Sequence, residues 1–326
     1  MLLSSTKLAL QRALEDSTVV DDPALEDQLL AAFPTPMRER FREDITGHRL
    51  RREIIATKLA NRLVNRLGPV NPFELVEEEG VTLAQVAAAF AAAERLLDLP
   101  ATWALLDSAP MAEDVRLMLF ERVARALRGH VADLLRAGKG EERPGVLVAR
   151  LAGGVEALTR DIADLLHAEA RAQSQRIAAE LAEAGAPADA AERVRHLTDM
   201  DGGIGLAELA ADSGIDAAAL TRAFTDLGER LGLDWAQQAA SRLNPSDPWE
   251  RLLAAGLARD FQQMRLDFLA RAGTAGPGAA VAEWAGRNAA PVASFRALVA
   301  RAQAAPLVGA AMLAQIAGQA RGLLAR

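Results

Sequence analysis

Between His48 and Leu67 the apolar residues Leu50, Ile54, Ile55, Leu59, Leu63, Val64 and Leu67 recur at three- and four-residue steps. That spacing gathers them on one wide stripe of an α-helix and does not fit the two-residue alternation of a strand. The other apolar material to be buried is mostly Ala and Leu. Aromatics are 4% of the 326 residues and Tyr is absent, so the chain is poor in the residues that fill sheets and rich in helix formers. At 51% hydrophobic it can build a sizeable core. The expected fold class is all-α, a multi-helix bundle.

Helix starts are marked where a side-chain oxygen can cap free N–H groups and proline fits the first turn. Asp22-Pro23, Thr35-Pro36 and Asp247-Pro248 all fit, and Glu250 stands three residues after Asp247, as in a capping box. Gly68-Pro69 ends the 48–67 helix. The run Gly138-Lys-Gly-Glu-Glu-Arg-Pro-Gly145 joins helix breakers to charge, and a weaker break spans Gly273 to Gly278. These divide the chain into an N-terminal helical subdomain (1–137), a second helical subdomain (138–272) and Ala-rich C-terminal helices (273–326). An internal echo links the first two. Glu74-Leu75, Gly80-Val81, Val86, Phe90 and Glu94-Arg95-Leu96 return as Glu208-Leu209, Gly214-Ile215, Leu220, Phe224 and Glu229-Arg230-Leu231, which predicts a duplicated helix, glycine turn, helix unit.

Several function classes are set aside by composition. Without cysteine there are no disulfides, thiolate metal sites or Cys nucleophiles, and the expected compartment is the cytoplasm. The opening MLLSSTKLALQRALEDS lacks the order of a signal peptide, so Met1 reads as the start of a short chain. The most apolar stretch, Ala304 to Gly318, is interrupted by Pro306 and Gln315 and is shorter than the about 20 residues of a membrane span; a core helix is expected there. A net charge of -7 disfavours bulk affinity for nucleic acid.

The motifs that invite chemistry fail on their own terms. Leu206 to Phe224 has the outline of a DNA-reading helix-turn-helix, yet Asp216 to Asp226 offers Arg222 alone against two acids, and the matching helix Thr82 to Ala93 has no cation. Asp199-Met-Asp-Gly-Gly-Ile-Gly205 is no calcium loop, because Gly203 takes a ligand position and Ala210 replaces the bidentate Glu. It is no dinucleotide loop either: Glu208 stands where the third glycine belongs. His48, His130, His167 and His196 are scattered without metal-ligand spacing, and each is expected to be a surface or core residue. Acids alternate with Arg, as in Arg51-Arg52-Glu53, which reads as solvated ion pairing. No acid, base and nucleophile converge.

One polar face stands out. Opposite the 48–67 stripe lie Lys58, Asn61, Arg62, Asn65 and Arg66 at helical spacing, preceded by Arg51. This ladder is either a solvated face or a surface on which another domain docks, and Arg51, Lys58, Asn61, Arg62, Asn65 and Arg66 are the candidate docking residues.

The stretch Asp44-Ile-Thr-Gly-His-Arg-Leu-Arg-Arg-Glu-Ile-Ile-Ala-Thr-Lys-Leu-Ala-Asn61, continuing through Val64-Asn-Arg-Leu-Gly-Pro69, resembles the helical C-terminal region of the large bacterial NAD-specific glutamate dehydrogenases. Thr6 to Leu10, Phe33-Pro34 to Arg42, Leu97-Asp-Leu-Pro100 with Trp103, and Leu227-Gly-Glu-Arg-Leu-Gly-Leu-Asp-Trp235 agree in order. The resemblance covers roughly residues 1 to 270 and fades after Gly273. It implies a longer polypeptide with regulatory domains, then a glutamate- and NAD-binding core that deaminates L-glutamate oxidatively to 2-oxoglutarate and ammonia, then this segment. The lysine region and Rossmann domain of such a core are absent, so no catalytic or cofactor residue carries over. The segment alone is expected to be inactive and to bind no cofactor, with NAD belonging to the whole enzyme. Its expected partners are the catalytic core of its own polypeptide and, in the intact enzyme, further copies of itself; nucleic acid and membrane are not expected. The rival reading is an independent helical adaptor holding an acidic partner on the Arg49 to Arg66 ladder, with a transcription factor ranked last.

Overall fold

A computed structural model describes residues 2–166, 168–243, 245–271 and 276–326. Among these residues there are nineteen α-helices, two short 3-10 helices and no strand. The all-α expectation holds. Two compact units divide the chain, one built from Met1–Glu156 with Ile177–Gly205 and the other from Ala157–Arg176 with Leu206–Arg326.

The first unit holds α1 (Leu2–Glu15), α2 (Glu26–Leu30), α3 (Thr35–Arg40), α4 (Arg42–Thr46), α5 (Arg51–Leu67), α6 (Asn71–Glu79), α7 (Leu83–Leu96), α8 (Leu99–Ser108) and α9 (Glu113–Gly138). Three helices straddle the division, namely α10 (Pro144–Leu165), α11 (Ala168–Glu183) and α13 (Gly203–Ser213); α12 (Ala188–Asp199) belongs to the first unit. The 48–67 stripe is realised in α5 from Ile55 on, where Ile55, Leu59, Leu63, Val64 and Leu67 are buried, partly along α1, while Ile54 is half-buried and Leu50 precedes the helix and is exposed. Gly68 ends it at φ +96°. Nearly every residue of α7 from Ala84 to Glu94 is buried, because its alanines let α5, α6, α8 and α9 approach closely from several sides.

Asp22 ties distant segments of this unit together. Its Oδ1 accepts from the Ala24 N–H at 2.7 Å, opening the 3-10 helix Pro23–Leu25, and its Oδ2 accepts from the Gly145 N–H at 2.9 Å in the first turn of α10. The helix break expected at Gly138 to Gly145 is therefore present as the α9–α10 turn, but it lies inside the first unit. Thr35 does not cap α3; it is the first helical residue and Pro34 precedes it.

The second unit holds α14 (Ala217–Leu231), α15 (Leu233–Arg242), α16 (Pro248–Arg271), α17 (Pro277–Arg287), α18 (Ala289–Gln303) and α19 (Ala310–Leu324). The α16 start is as expected, with Asp247 Oδ1 accepting from the N–H groups of Trp249 at 2.9 Å and Glu250 at 3.1 Å. α17 packs on α14 and α19 on α16, so the Ala-rich C-terminal helices share this unit's core. The 273–278 break falls partly outside the described residues, as does His167. The helix expected over 304–318 starts only at Ala310; Pro306 lies in the turn after α18, and Gly309 is the residue before the helix.

The echoed segments do share a local form. α6 and α7 meet at Gly80 (φ +66°), α13 and α14 at Gly214 (φ +69°), and Thr82 and Asp216 cap the second helix of each pair. Duplication of the surrounding units is not shown by this: α7 is enclosed on nearly all sides, whereas α14 buries one face against α16, α17 and α18.

Removing the shared acceptor in Asp22→Ala leaves two helix starts uncapped, at a cost of about 1–2 kcal/mol. The expected readout is faster hydrogen exchange at the Ala24 and Gly145 amides with the rest of the first unit unchanged.

Candidate functional site

In each unit a buried charge is held by a partner from another helix, and these pairs are the chain's most specific side-chain geometry. In the first unit Glu94, only 2% exposed near the end of α7, receives the Arg62 guanidinium of α5. One turn on, Arg66 lies 4.5 Å from the centroid of Trp103, which stacks on Phe120 at 5.7 Å, and reaches Asp107 at 3.7 Å. Burial raises the Glu94 pKa, and the Arg62 charge and hydrogen bond, with Arg66 further off, offset this only in part.

The six candidate docking residues therefore divide. Arg62 and Arg66 face their own unit. Arg51 leans toward Asp21 at 3.8 Å, and the Asn65 side-chain oxygen accepts from Lys7 at 3.3 Å. Asn61 is half-buried and Lys58 is exposed. The structure does not gather the six into one outward patch.

In the second unit a whole guanidinium is enclosed, with Arg265 of α16 at 1% exposure against Asp234 of α15 at 6%. Arg265 Nη1 meets Asp234 Oδ1 at 2.5 Å, Nε donates to the Phe261 carbonyl at 3.0 Å, and Nη2 donates to Gln237. The plane of the guanidinium sits 3.8 Å from the Phe224 centroid. Burial pulls the Arg265 pKa down and the Asp234 carboxylate pulls it back up. The pair fits only because residue 228 has no side chain: a Cβ on Gly228 of α14 would stand 2.5 Å from both Asp234 oxygens and 2.7 Å from Arg265 Nη1. Gly232 then turns the chain at φ +74°, with Val299 Cγ1 3.0 Å from where its Cβ would be. Arg296 of α18 donates to the carbonyls of Glu229 and Arg230 at the end of α14.

Sequence reasoning missed this second pair, since 31 residues and a helix boundary separate its partners. The available signal was Gly228, a glycine inside a helix where alanine is cheaper. Another cluster it missed lies between α9 and α12. There His130 Nε2 stands 2.8 Å from the Leu197 carbonyl oxygen, while His130 Nδ1, Asp133 Oδ2 and His196 Nε2 are buried without a hydrogen-bond partner in the protein. Burial and the neighbouring Arg195 push the His196 pKa down. Among the described residues no group of three or more acidic or histidine side chains is placed to hold a metal ion, and no helix is long and apolar enough to cross a membrane.

A chain that has no strand among its described residues, and whose buried charges pair across helices, has the character of a helical module. The family model described as Glutamate dehydrogenase, C-terminal, matches residues 1–321, and the chain belongs to that family. Among curated relatives, the NAD-specific glutamate dehydrogenase of Mycobacterium tuberculosis is 30% identical over 305 residues, covering 90% of this chain and 18% of the relative. The enzymes of that name from Pseudomonas aeruginosa and Halomonas elongata are each 28% identical, over 83% and 82% of this chain and 17% of their own length. The chain thus spans less than a fifth of the relatives it matches. Of the residues in these clusters, Arg66, Trp103, Gly228 and Asp234 fall within the segments that carried the resemblance, whereas Arg62, Glu94 and Arg265 lie outside them.

Two expected outcomes test these pairs, and a third, at Gly153, serves as a control. Gly228→Ala overpacks a locked site and should cost about 1–3 kcal/mol. Gly153→Ala, where a Cβ in mid-helix meets nothing within 4 Å, should stabilise by about 0.5–1 kcal/mol; denaturant titration reads both. For Glu94 the folded pKa lies above the ordinary 4.5, so this site's contribution to stability is full below that value and declines as pH rises through the raised one. Glu94→Gln, which keeps an acceptor for Arg62 and cannot ionise, should match the wild type in acid and gain on it toward neutrality. A variant that instead falls behind at neutral pH would mean that the Arg62 ion pair outweighs burial.

Proposed function

We propose that this chain is the non-catalytic C-terminal helical module of an NAD-dependent glutamate dehydrogenase, supporting the catalytic core, contributing to contacts between subunits or transmitting regulation. The reading rests on one observation above all: the family match runs over residues 1–321 while the matched part makes up less than a fifth of each relative. Placement of the buried charges supports it. Glu94 and Asp234 are bonded to arginines of neighbouring helices, so their chemistry goes into holding helices in register rather than toward a substrate.

On this reading the whole enzyme deaminates L-glutamate oxidatively to 2-oxoglutarate and ammonia, with NAD bound by the core and no cofactor in the present segment. The module's partner is the core of its own polypeptide, within a cytoplasmic homo-oligomer, with no role for nucleic acid or membrane. Docking through the α5 face falls to its outward part, Lys58 and the Asn65 edge, because Arg62 and Arg66 are committed to Glu94 and Trp103.

The purified 326-residue chain, checked as helical by circular dichroism, should form no NADH from glutamate and NAD. Produced together with the remainder of the polypeptide as a separate chain, it should co-purify with it. Turnover by the chain alone, or failure to co-purify, would overturn the proposal.

A further inference from the structure

The first two turns of α16 carry a second apolar face that the unit does not cover. Trp249 is 79% exposed, Leu252 38% and Leu253 45%, and with Gly256 they stand at i, i+3, i+4 and i+7, one stripe of the helix. The face that α16 buries in its own unit, through Ala254, Leu257 and Phe261, is a different one. A helix apolar on two sides belongs between two neighbours. The stripe is also preorganised, since the Asp247 cap fixes the turn that presents Trp249. Gly256 leaves the stripe's far end without a side chain, so another backbone can come close there.

We propose that this stripe is the anchor by which the module docks into an apolar groove on the remainder of its own polypeptide, a proposal that rests on the functional reading above. Two observations choose that occupant over a second copy of the chain. Three side chains expose on the order of 300 Å², whereas a stable contact between separate chains buries about 800 Å² on each partner. A tether removes that requirement, because segments of one polypeptide meet at effective concentrations of about millimolar. More than four fifths of the relatives' length lies outside the matched part, which supplies the tethered partner. Tryptophan is among the side chains enriched in interface anchors, and docking by such a helix face is read as a hydrophobic helix in a groove.

Hydroxyl-radical footprinting tests the assignment on the complete enzyme and on the 326-residue chain side by side. Trp249 should be oxidised readily in the chain and lose most of that oxidation in the complete enzyme. Leu253→Glu should restore it there while leaving the helix content of the chain unchanged, as Leu253 is exposed. Equal oxidation of Trp249 in both would overturn the proposal, and so would protection in the chain that grows with its concentration, which would assign the stripe to a second copy. Glutamate turnover by the chain would defeat the functional reading instead, and the two failures are told apart by these separate readouts.

Discussion

A guanidinium enclosed in a helical core is the constraint around which the second unit is arranged. Once Arg265 is removed from water its charge must meet a carboxylate, and its N–H groups must meet acceptors, or the fold loses several kilocalories. Asp234, Gln237, the Phe261 carbonyl and the Phe224 ring meet those needs from three helices, and Gly228 provides the space. Such a pair adds little net stability compared with an apolar replacement of the same volume. What it supplies here is a set of fixed contacts, since its partners come from α14, α15 and α16 together.

The first unit solves the same problem with a carboxylate. Glu94 is buried among the alanines of α7 and drawn to Arg62, while Arg66 covers Trp103. Both arginines belong to the ladder that is the most conspicuous polar feature of the sequence. Their inward use explains why a helix can carry so many cations on one side and still sit inside a bundle. Asp22 works on the backbone instead, joining the helix it opens to the Gly145 amide 123 residues away through one carboxylate.

Helix periodicity and caps were legible because they depend on neighbours along the chain. The α5 stripe, the Gly68 stop and the Asp247 cap of α16 all stand where spacing and side-chain chemistry put them. Partners far apart in sequence were not legible. Arg62 on a polar helix face looks the same whether it meets solvent or Glu94, and the turn at Gly138 to Gly145 looks like a boundary until Asp22 is seen holding it. The Trp249, Leu252, Leu253 stripe could be written down from the sequence, but only burial of the face through Ala254, Leu257 and Phe261 shows that it is left over.

By itself, then, the sequence determined the helical class, many of the helix ends and, through ordered short segments, membership of the glutamate dehydrogenase C-terminal family. Those properties follow from local hydrogen bonding and from which side chains recur at each turn. The tertiary structure decided which charges are framework and which face outward, where the units divide, and which apolar stripe remains for a partner. Those depend on burial, and burial is a property of helices brought together, which no single segment carries.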